Sequence, residues 1–176
     1  MNRYRLLPDG RTVLLYLTRG QTTLIDARDL PRVLTMRWSI SGHRGSFAAV
    51  AYVRGTGRAG NTRVYLHRFL LQPPEQLTVD HRNRNALDNR RVNLRLATRS
   101  ENQANHDKHR GRLPSSRYKG VSLDRRIGRG WFARISFAHR HHQSPYFATE
   151  IEAALWYNEQ AKILHGPFAV LNEVVQ

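Results

Sequence analysis

Cysteine is absent from all 176 residues. That excludes disulfide staples and thiolate metal knuckles, so any metal must be held by oxygen and imidazole nitrogen. Acidic residues are scarce: 13 Asp and Glu stand against 29 Lys and Arg, for a formal charge of +16 and a pI near 11.4. This excess goes beyond what solubility needs and favours binding to phosphate backbones, although a ribosomal or membrane-surface protein would share it. Long apolar runs are missing as well. None approaches the ~18–20 residues needed to cross a bilayer, and no apolar core of signal-peptide length follows Met1-Asn2-Arg3-Tyr4-Arg5. The chain reads as soluble, intracellular and cytoplasmic, without a membrane partner. A hydrophobic fraction of 40% with 24% charged residues argues against global disorder. The length suits one medium domain or two small ones.

Residues 1 to 66 read as a β-rich region. Arg11 to Leu17 is apolar and partly β-branched between the turn signals Asp9-Gly10 and Arg19-Gly20, and Thr22 to Asp26 reads as a second strand. Asp29 to Leu34 looks like a helix start, with Asp29 as cap and Pro31 in the first turn. Phe47 to Val53 and Thr62 to Leu66 predict two more strands. The glycine-rich basic stretch between them, residues 54–60, loosely resembles a phosphate cradle, but no clear helix follows it and it reads as a hairpin loop. Next come a short strand at Leu77-Thr78-Val79, a polar loop from Arg82 to Arg91, and a strand at Asn93 to Leu96. A helix then follows, with Thr98 and Glu101 as a capping box and Asn102, Asn105, His106 and His109 on one face.

That segment carries the chemistry. A carboxylate beside an imidazole, Asp80-His81, can hold a metal and take a proton from water at one place. Phosphodiester hydrolysis needs an activated water, a cation on the scissile phosphate, and help for the leaving 3′ oxygen; a divalent metal supplies the last two. Asp80 suits a hard cation such as Mg²⁺ or Mn²⁺, and Asn102 can add an amide oxygen. His81 suits a general base. Asn93, on the opposite strand, can hold the loop or the ring in place. The basic surroundings Arg82, Arg84, Arg90, Arg91, Arg95 and Arg99 suit a polyanionic substrate. The bland alternative is a chance Asp-His pair in an Asn-rich loop whose side chains only cap turns.

Residues 107–117 have linker composition. After them, Gly120 to Leu123, Trp131 to Phe137 and Gln143 to Ala148 predict a three-stranded sheet, the last strand at an edge because of Pro145. A helix follows, with Thr149 and Glu152 as its capping box, Ala153, Ala154, Tyr157, Ala161 and Leu164 on one face, and Gly166-Pro167 as its end. His139, His141 and His142 read as an exposed basic turn rather than a metal cluster, having no acid or cysteine beside them.

The run Leu66-His67-Arg68, Val79-Asp80-His81, Leu87 to Arg95, Ala97-Thr98 and Asn102 to Asn105 closely resembles the HNH homing endonucleases of phages and group I introns. The resemblance implies a ββα-metal (His-Me finger) site with His81 as general base, Asp80 and Asn102 as metal ligands, and Asn93 as brace. Many HNH proteins have His where this chain has Asn102. His67 matches an upstream family position and otherwise reads as a structural histidine beneath the site. The stretch from Leu17 to Trp38 looks like the N-terminal part of the same phage proteins. The C-terminal unit resembles an AP2 DNA-binding domain through Tyr118-Lys119-Gly120-Val121, Trp131 to Ile135, Phe147-Ala148-Thr149, Glu152-Ala153-Ala154, Tyr157, Ala161 and Gly166 to Asn172. It departs from that pattern at Tyr146 and Trp156. By position this implicates Lys119, Arg125, Arg129, Trp131 and Arg134 in DNA contact; for Trp131 a place in the core stands beside it.

The expectation is thus an α+β chain: a β-rich region at 1–66, a nuclease core at 67–107, a basic linker at 108–117 and an AP2-like domain at 118–172. Its partner would be duplex DNA, and it would act as a monomer or a homodimer. A catalytically silent DNA-binding protein and a basic RNA-associated protein are the rival readings.

Overall fold

The computed structural model describes residues 1–43, 46–55, 60–106, 115–126, 130–138 and 140–174. The chain divides into two compact units, Met1–Thr98 and Arg99–Gln176.

The first unit opens with a meander of β1 (Tyr4–Leu6), β2 (Thr12–Tyr16) and β3 (Thr22–Asp26), antiparallel and in that order. Asp9 shapes the first turn: its carboxylate accepts from the Arg11 and Thr12 amides and from Thr12 Oγ1. Along β2, Val13 and Leu15 are buried, as the two-residue period of a half-buried strand requires. A short 3-10 turn leads into α1 (Leu30–Val33), and Trp38 is locked by its indole N–H donating to the Val33 carbonyl at 2.8 Å. A second antiparallel sheet follows: β4 (Ser39–Ser41), β5 (Ala48–Val53) and β6 (Thr62–Tyr65). Then α2 (Leu66–Leu71) buries Leu66 and Leu70, one turn apart, and stops at Gln72 in the left-handed region, just before two prolines. The hairpin β7 (Thr78–His81) and β8 (Leu94–Ala97) completes the unit. One hydrophobic cluster runs from Val13 and Ile25 through Trp38, Leu66 and Leu70 to Val79 and Leu94, so a single core crosses the boundary expected at residue 66.

The second unit begins with α3 (Arg99–Ala104), which starts at the expected place but ends before Asn105; His109 lies outside the described residues. Its sheet is β9 (Val121–Leu123), β10 (Trp131–Phe137) and β11 (Arg140–Gln143), with β10 in the centre. The third strand was expected at Gln143 to Ala148 and lies earlier. Pro145 has no N–H to give a ladder, and the β10–β11 hairpin pairs Phe137 with Arg140 and Arg134 with Gln143; Phe147 adds only an isolated bridge to Trp131. Helix α4 (Glu150–His165) has the expected capping box: the Glu152 amide donates to Thr149 Oγ1 and the Thr149 amide to Glu152 Oε2. Its Ala153, Ala154, Tyr157 and Ala161 pack on Val121, Ala133 and Ile135. Gly120, at φ +75°, sits against the Tyr157 ring, which a Cβ there would overlap. Asn172 ties the C-terminal segment down by exchanging bonds with the Lys119 and Asn158 backbone and side-chain groups.

No helix among the described residues is long and apolar enough to cross a membrane. Most of the linker expected at 108–117, most of the glycine-rich loop at 54–60, and His139 lie outside the described residues.

Candidate active site

The β7–β8 register sets the pair at the centre of the site. Asp80 lies opposite Arg95 and His81 opposite Leu94. Arg95 Nε donates to Asp80 Oδ2 at 2.6 Å, and both side chains are under a tenth exposed. A buried ion pair of this kind has each charge desolvated and therefore dependent on the other.

The loop from Arg82 to Asn93 is built from its own side chains. Asn83 Oδ1 accepts from the Asn85 amide and Asn85 Oδ1 from the Leu87 amide, the short Asx turns that Asn-rich sequences favour. Asn93 closes the loop across its mouth. Its Oδ1 accepts from the Asn83 amide at 2.9 Å and its Nδ2 donates to the Asp88 carbonyl at 2.8 Å. Of the two tasks foreseen for Asn93, it therefore holds the loop; the ring is held by another residue.

That residue is Asn89, fully buried, whose Oδ1 lies 3.3 Å from His81 Nε2. The Asn89 amide group donates to Thr23 Oγ1 at 2.8 Å and to the Ala86 carbonyl at 3.2 Å. With its N–H groups so directed, its oxygen faces the imidazole, and Nε2 is the nitrogen that carries the ring proton. The loop in turn docks on β3: the Asn89 amide donates to the Leu24 carbonyl, the Leu24 amide to the Leu87 carbonyl, and the Arg91 amide to Asp26 Oδ2. The N-terminal meander thus positions the site. Asn89 does not stand out in the sequence, because its partners Thr23 and Leu24 are more than sixty positions away.

Burial pushes the His81 pKa down, partly opposed by the Asn89 bond and the Asp80 and Asp88 carboxylates. Its ring is neutral at physiological pH. His67 packs edge-on against it, ring centroids 5.2 Å apart, and is itself lowered to about 3 by burial and by the neighbouring His81 and Arg68. The Asp88 carboxyl is held below the usual range, chiefly by hydrogen bonds from Arg90.

Residues 72–104 match the HNH endonuclease family. A protein of Acanthamoeba polyphaga mimivirus described as an uncharacterized HNH endonuclease is 34% identical over 119 residues, 64% of this chain. The match spans 59% of that relative's length. No solved structure matches the chain. The HNH segment contains the β7–β8 hairpin, its loop and α3.

HNH nucleases generally use a divalent metal. Among the described residues no three His, Cys, Asp or Glu side chains gather into a metal-binding group. Asp80 is the one carboxylate beside His81 on β7, and it accepts from Arg95. This donor set fits a hard cation that keeps several waters and draws further oxygens from the substrate phosphate, not a closed protein cage. Asn102 lies on α3, in the second unit.

The basic residues of the HNH segment fall into two groups. Arg82, Arg84 and Arg99 are exposed, Arg84 at φ +62°. The others face inward to carboxylates: Arg90 to Asp88, Arg91 to Asp29 at 2.8 Å through two bonds, and Arg95 to Asp80. Arg95 is thereby a structural partner of the site with little surface to offer DNA. In the second unit, Lys119 directs Nζ to the Ala104 and His106 carbonyls, which ties it to the end of α3. Trp131 alternates with Ala133 and Ile135 on the helix-covered face and packs against that core, whereas Phe132 and Arg134 project from the opposite face. Arg125 and Arg134 are exposed; Arg129 lies outside the described residues.

Proposed function

We propose that this chain is a metal-dependent endonuclease that hydrolyses phosphodiester bonds of duplex DNA, with His81 as general base. The observation that carries the reading is the neutral, buried His81 ring, oriented by Asn89 and adjoining Asp80, inside the segment that matches the HNH family. When bound, a divalent cation such as magnesium or manganese supplies positive charge at the scissile phosphate and assists the leaving 3′ oxygen. Asp80 and Asn102 are the proposed ligands, one carboxylate and one amide oxygen. His81 accepts the proton of the attacking water at Nδ1, the nitrogen opposite the Asn89 bond. Asn89 and the carboxylates of Asp80 and Asp88 stabilise the imidazolium that forms, since all three act to raise the ring's proton affinity. Asn93 keeps the loop closed, so that the ring does not lose its geometry between turnovers.

The resemblances extend the reading to homing-type action at a recognised site, with the C-terminal unit holding DNA as an AP2-like sheet. Arg82 and Arg84 next to the site, and Arg125 and Arg134 on the second unit, have the exposure that phosphate contact requires. One such site cuts one strand, so a monomer nicks, and a double-strand break takes a homodimer or a second event.

Supercoiled plasmid incubated with Mg²⁺ or Mn²⁺ tests the reading. Conversion to relaxed circles that stops with chelator is expected. Equal conversion in chelator contradicts the metal's part, and stable binding with no conversion under either metal leaves a DNA-binding protein without catalysis.

A further inference from the structure

The open face of the C-terminal sheet ends in a cleft of about 730 Å³ whose walls include Asp124, Arg126, Phe132, Arg134, Gln143 and Tyr146. Within it one surface arginine is fixed. Arg126 Nε donates to Asp124 Oδ1 at 2.9 Å and Nη2 donates to Oδ2 at 2.6 Å, while 72% of the arginine side chain remains exposed. Asp124 is itself held: its side chain is 8% exposed, and Tyr146 Oη donates to its Oδ2 at 2.9 Å. Tyr146 is fixed by its ring, which meets Phe132 edge-on at 5.7 Å. The tyrosine that departs from the AP2 pattern is thus the post behind this ion pair. These bonds, Arg126's first, hold the Asp124 carboxyl far below the usual carboxylate range.

We propose that Arg126, braced by Asp124 and Tyr146, reads guanine in the major groove of duplex DNA. The inference rests on the reading of the C-terminal unit as a DNA-binding sheet. A phosphate contact needs net positive charge and tolerates a mobile side chain; a carboxylate in bidentate contact cancels that charge and repels phosphate. What the carboxylate provides instead is a fixed guanidinium plane. Asp124 takes the Nε–Nη2 side, and the end-on edge of Nη1 and Nη2 is the one that matches the paired O6 and N7 acceptors of guanine. Adenine places an N6 donor at that position and is rejected. Arg134, held by Gln143 Oε1 at 2.7 Å and lying over the Phe132 ring, flanks the same cleft.

The test uses the full chain with chelator present, so that binding is read without cleavage. Duplexes are selected from a randomised library, and the selected site is then measured with each base pair exchanged. The parent protein is expected to prefer guanine by about five- to a hundredfold at one position, the range of a bidentate arginine–guanine pair. Arg126→Ala should flatten that position alone, and Tyr146→Phe should weaken it while the other positions keep their preferences. If Arg126→Ala binds all duplexes more weakly by one common factor and keeps every preference, the inference falls while the DNA reading stands. If the parent does not bind duplex DNA, both fall.

Discussion

The HNH hairpin and the C-terminal sheet face use the same residue types in opposite ways. In the hairpin, Asp80, His81, Asp88, Asn89, Asn93 and Arg95 are all buried, and Arg90, Arg91 and Arg95 turn to carboxylates while Arg82 and Arg84 stay exposed. On the sheet face, Arg125, Arg126 and Arg134 stay exposed, and Asp124 braces an arginine there without covering it. The first arrangement fixes its side chains in a buried network where a displaced bond is costly. The second keeps donors available to a partner. A net charge of +16 therefore says little about which surface would hold a polyanion, because several of the most conspicuous arginines near the site are engaged within the protein.

The contrast predicts unequal mutational costs. The largest falls on Asp80→Ala, which takes the Asp80 carboxylate away from the buried Arg95 guanidinium. Chemical denaturation should show a loss of about 3–5 kcal/mol, together with lost cleavage, whereas Arg125→Ala on the exposed sheet should stay within about 0.5 kcal/mol. Equal costs would erase the distinction. Next is Asn93→Ala. It removes two hydrogen bonds across the loop mouth and should cost about 1–3 kcal/mol, with a matching fall in cleavage rate as the loop that carries Asn89 loosens. A stable but inactive variant would mean that Asn93 acts on the substrate directly.

A smaller, pH-dependent effect comes from His67. Its pKa falls from 6.5 to about 3 on folding, so the unfolded chain binds the proton more readily than the folded one. Its contribution to stability is therefore present above about pH 6.5 and is lost as the pH drops towards 3; the lowered pKa of His81 acts in the same sense. His67→Gln should flatten the slope of unfolding free energy over that window. An unchanged slope would place the proton uptake elsewhere.

Much of this was legible in the sequence, and the limits have physical causes. The alternation of β10 and the Thr149–Glu152 box of α4 are local signals, and both elements lie where they point. The hairpin that carries Asp80 and His81 was legible from its short apolar runs, to within a residue or two at each end. Helix α2 was not, because Leu66 to Leu71 is too short to establish a period and has no side-chain cap. Strand β11 was set too late because the backbone ladder ends at Gln143, before Pro145, and nothing in the apolar pattern marks that limit. Within the site, spacing pointed to Asp80, His81, Asn93 and Asn102. It could not point to Asn89, whose task depends on Thr23 and on the docking of the loop against β3, contacts that exist only once the chain has folded. The division of the arginines was hidden for the same reason: Arg91 meets Asp29, sixty-two positions away.

The most direct test compares His81→Ala with the parent protein on plasmid DNA, in Mg²⁺, at protein concentrations that bind all of the substrate. Removal of a general base should slow strand cleavage by about 10²–10⁴-fold while the affinity for the same duplex, measured in chelator, is unchanged. Cleavage by His81→Ala at the parent rate would contradict the account at its centre.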